Sequence, residues 1–457
     1  MVSKNTLDLT RGPIIKRLLS FAVPIFFTLL LQHLYNAADK AVVGQFAKNG
    51  KEALAAIGAT GAVTAMVLNL KSGLATGVNV HCSKLRGAGD TEGLRKAMHT
   101  GVFLSVITGT VLALIGIAIS KPILVALGTP KTILPDAVLY MRVYLAGLPA
   151  MSAYNFCSGI FRSHGDTKRP MYCLLISGAV NVALNLIFVI VFKMRVAGVA
   201  IATTIAQILS AARLLKILFD PKDAYQLTIK ELHLDKTATK EIFRLGIPAG
   251  LNLMVVNLAS AVVQTAVNSF NDTAIIAART VVADVMNIFI QALHAFSLGC
   301  VSFAGQCYGA RKYKRIDKLA ITTILCGSGL ILVEALVVTF FPDAVIGIFN
   351  NDPAVLRVGK TILLINVWGY LLNAVNDVLI NCVKGMGRSI GPTIINLTAK
   401  MLPQVIWVWV FFPMRRTIEW LYLSSPISWL ISSVVLVIYY ISVRKKLDRQ
   451  LALEAAQ

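Results

Sequence analysis

Apolar runs long enough to cross a bilayer follow one another through this chain almost without pause, and that succession decides what it can fold into. A helix needs roughly 20 apolar residues to traverse the hydrocarbon core, and a soluble domain has no interior large enough to bury a dozen of them. Such runs occupy residues 16–44, 52–81, 95–120, 134–160, 170–192, 196–219, 242–270, 274–308, 316–341, 354–383, 389–412 and 417–443, each bounded by Gly, Pro or a charge cluster. With 56% hydrophobic and 14% charged residues, the expected class is an all-α polytopic membrane protein with twelve transmembrane helices.

An even number of spans puts both termini on one side. Of the 44 Lys and Arg residues, 29 lie in the termini and the loops of that side and 10 in the opposite loops, which predicts a multi-pass protein of the cell membrane with both termini cytoplasmic. The same distribution explains the net charge of +22 without a nucleic-acid partner, because the basic residues form short clusters between apolar runs and no basic face interleaved with aromatics. The amino terminus is polar through Arg17 and the first run shows no small-residue cleavage site, so the first span is expected to remain as an anchor. The seven Cys are scattered through apolar segments without CxxC or zinc spacing, which predicts neither a disulfide framework nor a metal site.

The two halves read as copies. His164-Gly165-Asp166 through Pro170 recurs as Met386-Gly387-Arg388 through Pro392, and Gly87-Ala88 recurs as Gly309-Ala310, both at an offset of 222 residues. Pro130 corresponds to Pro353 at 223, and Phe21 through Pro24 to Leu245 through Pro248 at 224. An internal duplication follows, with two pseudo-symmetric six-helix lobes at residues 1–222 and 223–457, the polar stretch Asp220 to Lys240 as the linker, and rocking of the lobes as a means of alternating access.

Polar residues inside the spans narrow the function. Gln32, Asn36 and Asp39 fall at i, i+4 and i+7 on one stripe of the first span. An acid at bilayer depth costs about 2.5 to 3.5 kcal/mol on insertion scales, so it faces a bundle interior or a wet cavity and serves a pathway, which makes Asp39 the candidate ion-coupling residue. Ser177, Asn181 and Asn185 share a face of the fifth span, Asn257, Ser260, Gln264 and Asn268 a face of the seventh, and Asn366, Asn373, Asp377 and Asn381 a face of the tenth. Gln32, Asn36, Lys71, Asn257, Gln264, Asn373 and Asp377 are the candidate lining of a substrate cavity.

Four motifs carry a resemblance: Leu34-Tyr35-Asn36 to Asp39 and on to Val42-Val43-Gly44-Gln45-Phe46, Ala53 through Gly61, Gly87-Ala88-Gly89-Asp90, and Phe303-Ala304-Gly305-Gln306-Cys307-Tyr308-Gly309-Ala310. Over nearly its whole length the chain resembles the bacterial multidrug and toxic compound extrusion (MATE) family. The resemblance implies twelve helices in two lobes and export of drugs or metabolites in exchange for H+ or Na+. It further implies that Asp39 couples the ion with support from Asn181 and Asn185. At the matched offsets these three become Val263, Pro403 and Trp407, so only the amino-terminal lobe keeps the polar cluster. The chain departs from the family pattern in having Asn185 where a second carboxylate is common, and Lys40 and Lys71 where neutral residues are expected. The sequence leaves open whether Lys71 pairs with Asp39.

Energy must come from an ion gradient, because the nearest approach to a nucleotide loop, Gly44 to Glu52, has the wrong spacing and no Ser or Thr to hold magnesium. Two cargo classes fit. The first is amphiphilic cationic compounds exported by antiport; the second is a lipid-linked or anionic cargo handled by a basic cavity built from Lys40, Lys71, Arg279 and Lys400. No His, Cys or acid cluster stands at catalytic spacing, so an enzyme is not expected, nor any cofactor beyond the coupling ion. The expected working form is a monomer whose partners are the lipid bilayer and a small-molecule substrate.

Overall fold

A computed structural model describes residues 6–455 apart from Lys48, Lys222, Ala224 and Gln226. Eleven helices among the described residues are long and apolar enough to cross a membrane: Ile14–Phe46, Gly50–Ala88, Thr91–Ala126, Lys168–Val191, Arg195–Leu218, Lys236–Asn268, Thr273–Gly309, Tyr313–Phe340, Pro353–Gly385, Ile390–Met414 and Ile418–Glu454. The remaining run of the sequence, its fourth, forms two shorter helices, Leu134–Ala146 and Leu148–Ser163. The break falls at Gly147, ahead of Pro149, which has no N–H to give and whose ring crowds the preceding turn. With this broken span the described residues hold twelve, as the apolar runs predict.

The chain divides into two compact units, Val23–Gly250 with the stretch up to Asp8, and Leu251–Gln457 with Leu9–Ala22. The first and seventh spans therefore each contribute a part to both units, changing over beside Pro24 and Pro248. This division differs from the boundary expected at 222/223. The physical reason lies in the segment read as a linker: Tyr225 and Leu227 are buried, the Thr228 N–H donates to His99 Nε2 at 3.1 Å, and Arg95 pairs with Glu231 at 2.5 Å. That stretch is docked into the amino-terminal unit and carries the start of the seventh span with it.

Inside the amino-terminal unit the broken fourth span packs against the second, third and sixth spans, burying Leu74, Val78, Val102, Phe156 and Ile160. In the carboxy-terminal unit the tenth span packs against the eighth, ninth and twelfth, burying Val282, Val285, Ile362 and Val367. The fourth and tenth spans correspond at the offset of 222, so each unit is built around the same member of the repeat. The fifth and eleventh spans correspond too, and both widen into π-turns, at Ile187–Val191 in one and at Asn396–Met401 and Trp407–Phe411 in the other. Such turns are rare and cluster at functional sites.

Candidate functional site

In the amino-terminal unit the first span is seated on the fifth by a side chain fitting where none opposes it. A Cβ at Gly178 would lie 1.6 Å from Tyr35 Cζ, so only glycine lets the Tyr35 ring settle against the fifth span, where its hydroxyl donates to the Leu175 carbonyl at 3.3 Å. One turn further along, Asp39 then faces Asn181 and Asn185. Asn185 Nδ2 donates to Asp39 Oδ1 at 2.5 Å, and the Thr203 hydroxyl of the sixth span donates to Oδ2 at 3.1 Å. With its amide nitrogen turned to Asp39, Asn181 donates to Oδ1 at 3.0 Å and accepts from the Thr203 N–H at 3.3 Å.

These partners are all neutral. Hydrogen bonds to a charged group contribute about 1.5 to 3 kcal/mol each, so the carboxylate is held without a counter-ion that would fix its charge. Asp39 is 9% exposed and lines a cavity of about 190 Å³ together with Gln32, Asn36, Lys71 and Asn181, while Asn185 is buried behind it. Lys71 shares the cavity, but among the described residues no lysine or arginine forms an ion pair with Asp39.

The carboxy-terminal unit holds its own cavity, of about 350 Å³, lined by Asn257, Arg279, His294, Asn373, Asp377 and Lys400 among others. Here the acid is paired: Asp377 Oδ2 lies 2.8 Å from His294 Nδ1, with the two side chains 20% and 40% exposed. Lys400 donates to Asn373 Oδ1 at 2.9 Å. Arg279 is held by Gln264, by the Ser260 carbonyl at 3.1 Å and by the Tyr422 hydroxyl at 3.4 Å. Two polar cavities thus occupy corresponding halves of a duplicated helical membrane fold, one with a carboxylate among neutral donors and one with a paired acid.

The family profile described as MatE matches this chain twice, at residues 24–187 and 248–410. The chain belongs to the MATE family. The two matches begin 224 residues apart, as the Pro24 and Pro248 landmarks do. Among curated relatives, a protein of Bacillus subtilis named probable multidrug resistance protein YoeA is 27% identical over 388 residues, covering 83% of each chain. The multidrug export protein MepA of Staphylococcus aureus is 22% identical and covers 96% of each chain. A crystal structure of MATE in the bent conformation superposes with a TM-score of 0.91 at 21% identity, covering 99% of this chain and 100% of that one, which shows the shared fold. The protein is a multi-pass membrane transporter of the MATE family and not an enzyme.

The residues expected to line one MATE cavity are divided between two. Gln32, Asn36 and Lys71 line the amino-terminal cavity, Asn257, Asn373 and Asp377 the carboxy-terminal one, and Gln264 lines neither, holding Arg279 instead. Thr203 and His294 escaped sequence reasoning. Thr203 gave no signal, since membrane-helix threonines commonly bond their own backbone, as Thr28 does to the Pro24 carbonyl at 2.8 Å. His294 could have been found as the one His of the eighth span, on a turn that faces Asp377.

Proposed function

We propose that the protein exports amphiphilic organic compounds in exchange for protons, with Asp39 as the residue that alternates between proton and cargo. The observation that carries this is the company Asp39 keeps: a buried carboxylate on a cavity wall, bonded by Asn185 and Thr203 and by no cation. Its hydrogen-bond partners are neutral side chains, so a change of charge on the carboxylate strands no counter-ion. Asp377, with the imidazole of His294 2.8 Å away, has a titratable base as its neighbour and is the weaker candidate.

In this reading a cationic group of the cargo displaces the proton of Asp39, and rocking of the two six-span halves exposes the site to alternate sides. The transporter works in the cell membrane as a monomer with both termini cytoplasmic, in keeping with the charge bias of its loops. The names of the relatives YoeA and MepA support a multidrug cargo. The test is efflux of a fluorescent cation from cells carrying Asp39→Asn, with and without an uncoupler. Export that collapses in the mutant and in uncoupled wild-type cells supports the reading; unchanged export in the mutant removes Asp39 from the mechanism.

A further inference from the structure

Proton exchange at Asp39 leaves Lys71 without a task. Its side chain is 4% exposed, it lines the same cavity, and it has no hydrogen-bond or ion-pair partner among the described residues. Two residues further along the second span a Cβ on Gly73 would lie 2.2 Å from the Gly250 nitrogen, and this close backbone packing sets the rotation of the helix and so the face from which Lys71 projects. A buried ammonium without a partner is costly, and an incoming anion relieves that cost.

The twin unit shows what is missing. There a base on the eighth span, His294, meets a carboxylate on the tenth, Asp377. At the offset of 222, Asp377 corresponds to Asn155 and His294 to Ser72, the neighbour of Lys71. Lys71, Ser72 and Asn155 all line the amino-terminal cavity, and the Asn155 amide is committed to the Met151 carbonyl at 2.7 Å. The amino-terminal unit therefore keeps a base at this level and has an amide where its twin has the acid.

We propose that Lys71 is an anion subsite, so that the amino-terminal cavity takes amphiphiles bearing a carboxylate, which completes at Lys71 the ion pair that Asp377 completes in the other unit. Asp39 and Lys71 are the two charged residues on this wall, so a basic group of the same molecule faces Asp39. The inference rests on the export reading for the identity of the site, yet it is tested by binding alone.

Tetramethylrhodamine and its methyl ester share one cationic ring system and differ by one carboxylate. Fluorescence anisotropy titrations of both dyes against the purified full-length protein in detergent measure their affinity ratio. The wild type is expected to bind the free acid about tenfold more tightly than the ester, the effect of one charge-assisted hydrogen bond. Lys71→Met should bring the ratio to within about twofold with the ester's own affinity kept, and Lys71→Arg should preserve the preference. Asn155→Asp, which supplies an internal acid as the twin unit does, should abolish it as well. A wild-type ratio near one, a free acid that fails to bind, or a preference that survives both Lys71→Met and Asn155→Asp overturns the proposal. Should Lys71→Met not fold, the wild-type and Asn155→Asp ratios decide. The export reading fails differently, by proton exchange persisting in Asp39→Asn, which leaves the dye ratio untouched.

Discussion

Each unit places an acid on the wall of a polar cavity, and the two acids keep opposite company. Asp39 is bonded by Asn185 and Thr203 and meets no base, whereas Asp377 sits 2.8 Å from His294. The difference traces to a few positions of the repeat. Gly178, which seats Tyr35 and so aims Asp39, corresponds to Lys400, and Asn181 and Asn185 correspond to Pro403 and Trp407. Duplication supplied one scaffold twice, but the two acids do not stand at corresponding positions: Asp39 matches Val263 and Asp377 matches Asn155, so each unit carries its acid on a different member of the repeat. A carboxylate among neutral donors can give up or accept a proton without stranding a partner; a paired one cannot, because removing either member leaves the other buried and unpaired.

The largest effect should come from breaking the seat of the first span. Gly178→Val brings a branched side chain onto the Tyr35 ring, and overpacking of this kind costs about 1 to 3 kcal/mol, so export should fall by about tenfold or more as the Asn185–Asp39 bond opens. Export of a fluorescent cation, normalised to the amount of protein in the membrane, checks this. His294→Ala comes next. It strands Asp377, and with both side chains partly exposed the expected loss is about 1 to 3 kcal/mol, read as a lowered Tm in detergent. Adding Asp377→Asn should restore most of that loss, whereas an uncoupled pair would show no recovery.

Smaller changes sharpen the contrast. Thr203→Val removes one neutral donor from Asp39 and should cost about 1 to 2 kcal/mol in a coupled-export assay while leaving protein levels intact. The smallest effect is expected for Lys400→Met, which loses a bond to the neutral Asn373 and should change export by less than about twofold. A large loss there would mean that the carboxy-terminal cavity takes a direct part in coupling.

Much of the fold was legible because bilayer thickness imposes a length on every span and charge bias orders the loops. The break at Gly147 was less so, since hydropathy is blind to a missing N–H, and a run such as 134–160 counts as one span whether or not its helix is continuous. Spacing along a helix brought out the shared faces of Asn181 with Asn185 and of Gln32, Asn36 and Asp39, because i, i+4 neighbours are a property of one segment. Partners across segments are not. Thr203 and His294 emerge only when spans are packed, and the same holds for the separation of Lys71 from Asp39, which sequence alone left open. The polar stretch from Asp220 looked like a tether because its charges suit solvent, yet Tyr225 and Leu227 anchor it in the amino-terminal unit.

The most direct measurement is proton flux in proteoliposomes during cargo exchange, taken for the wild type, Asp39→Asn and Asp377→Asn. The asymmetry described above predicts that Asp39→Asn still lets cargo equilibrate but moves no protons with it, and that Asp377→Asn keeps cargo and proton flux linked. Proton movement that persists in Asp39→Asn, or that vanishes in Asp377→Asn alone, would contradict it.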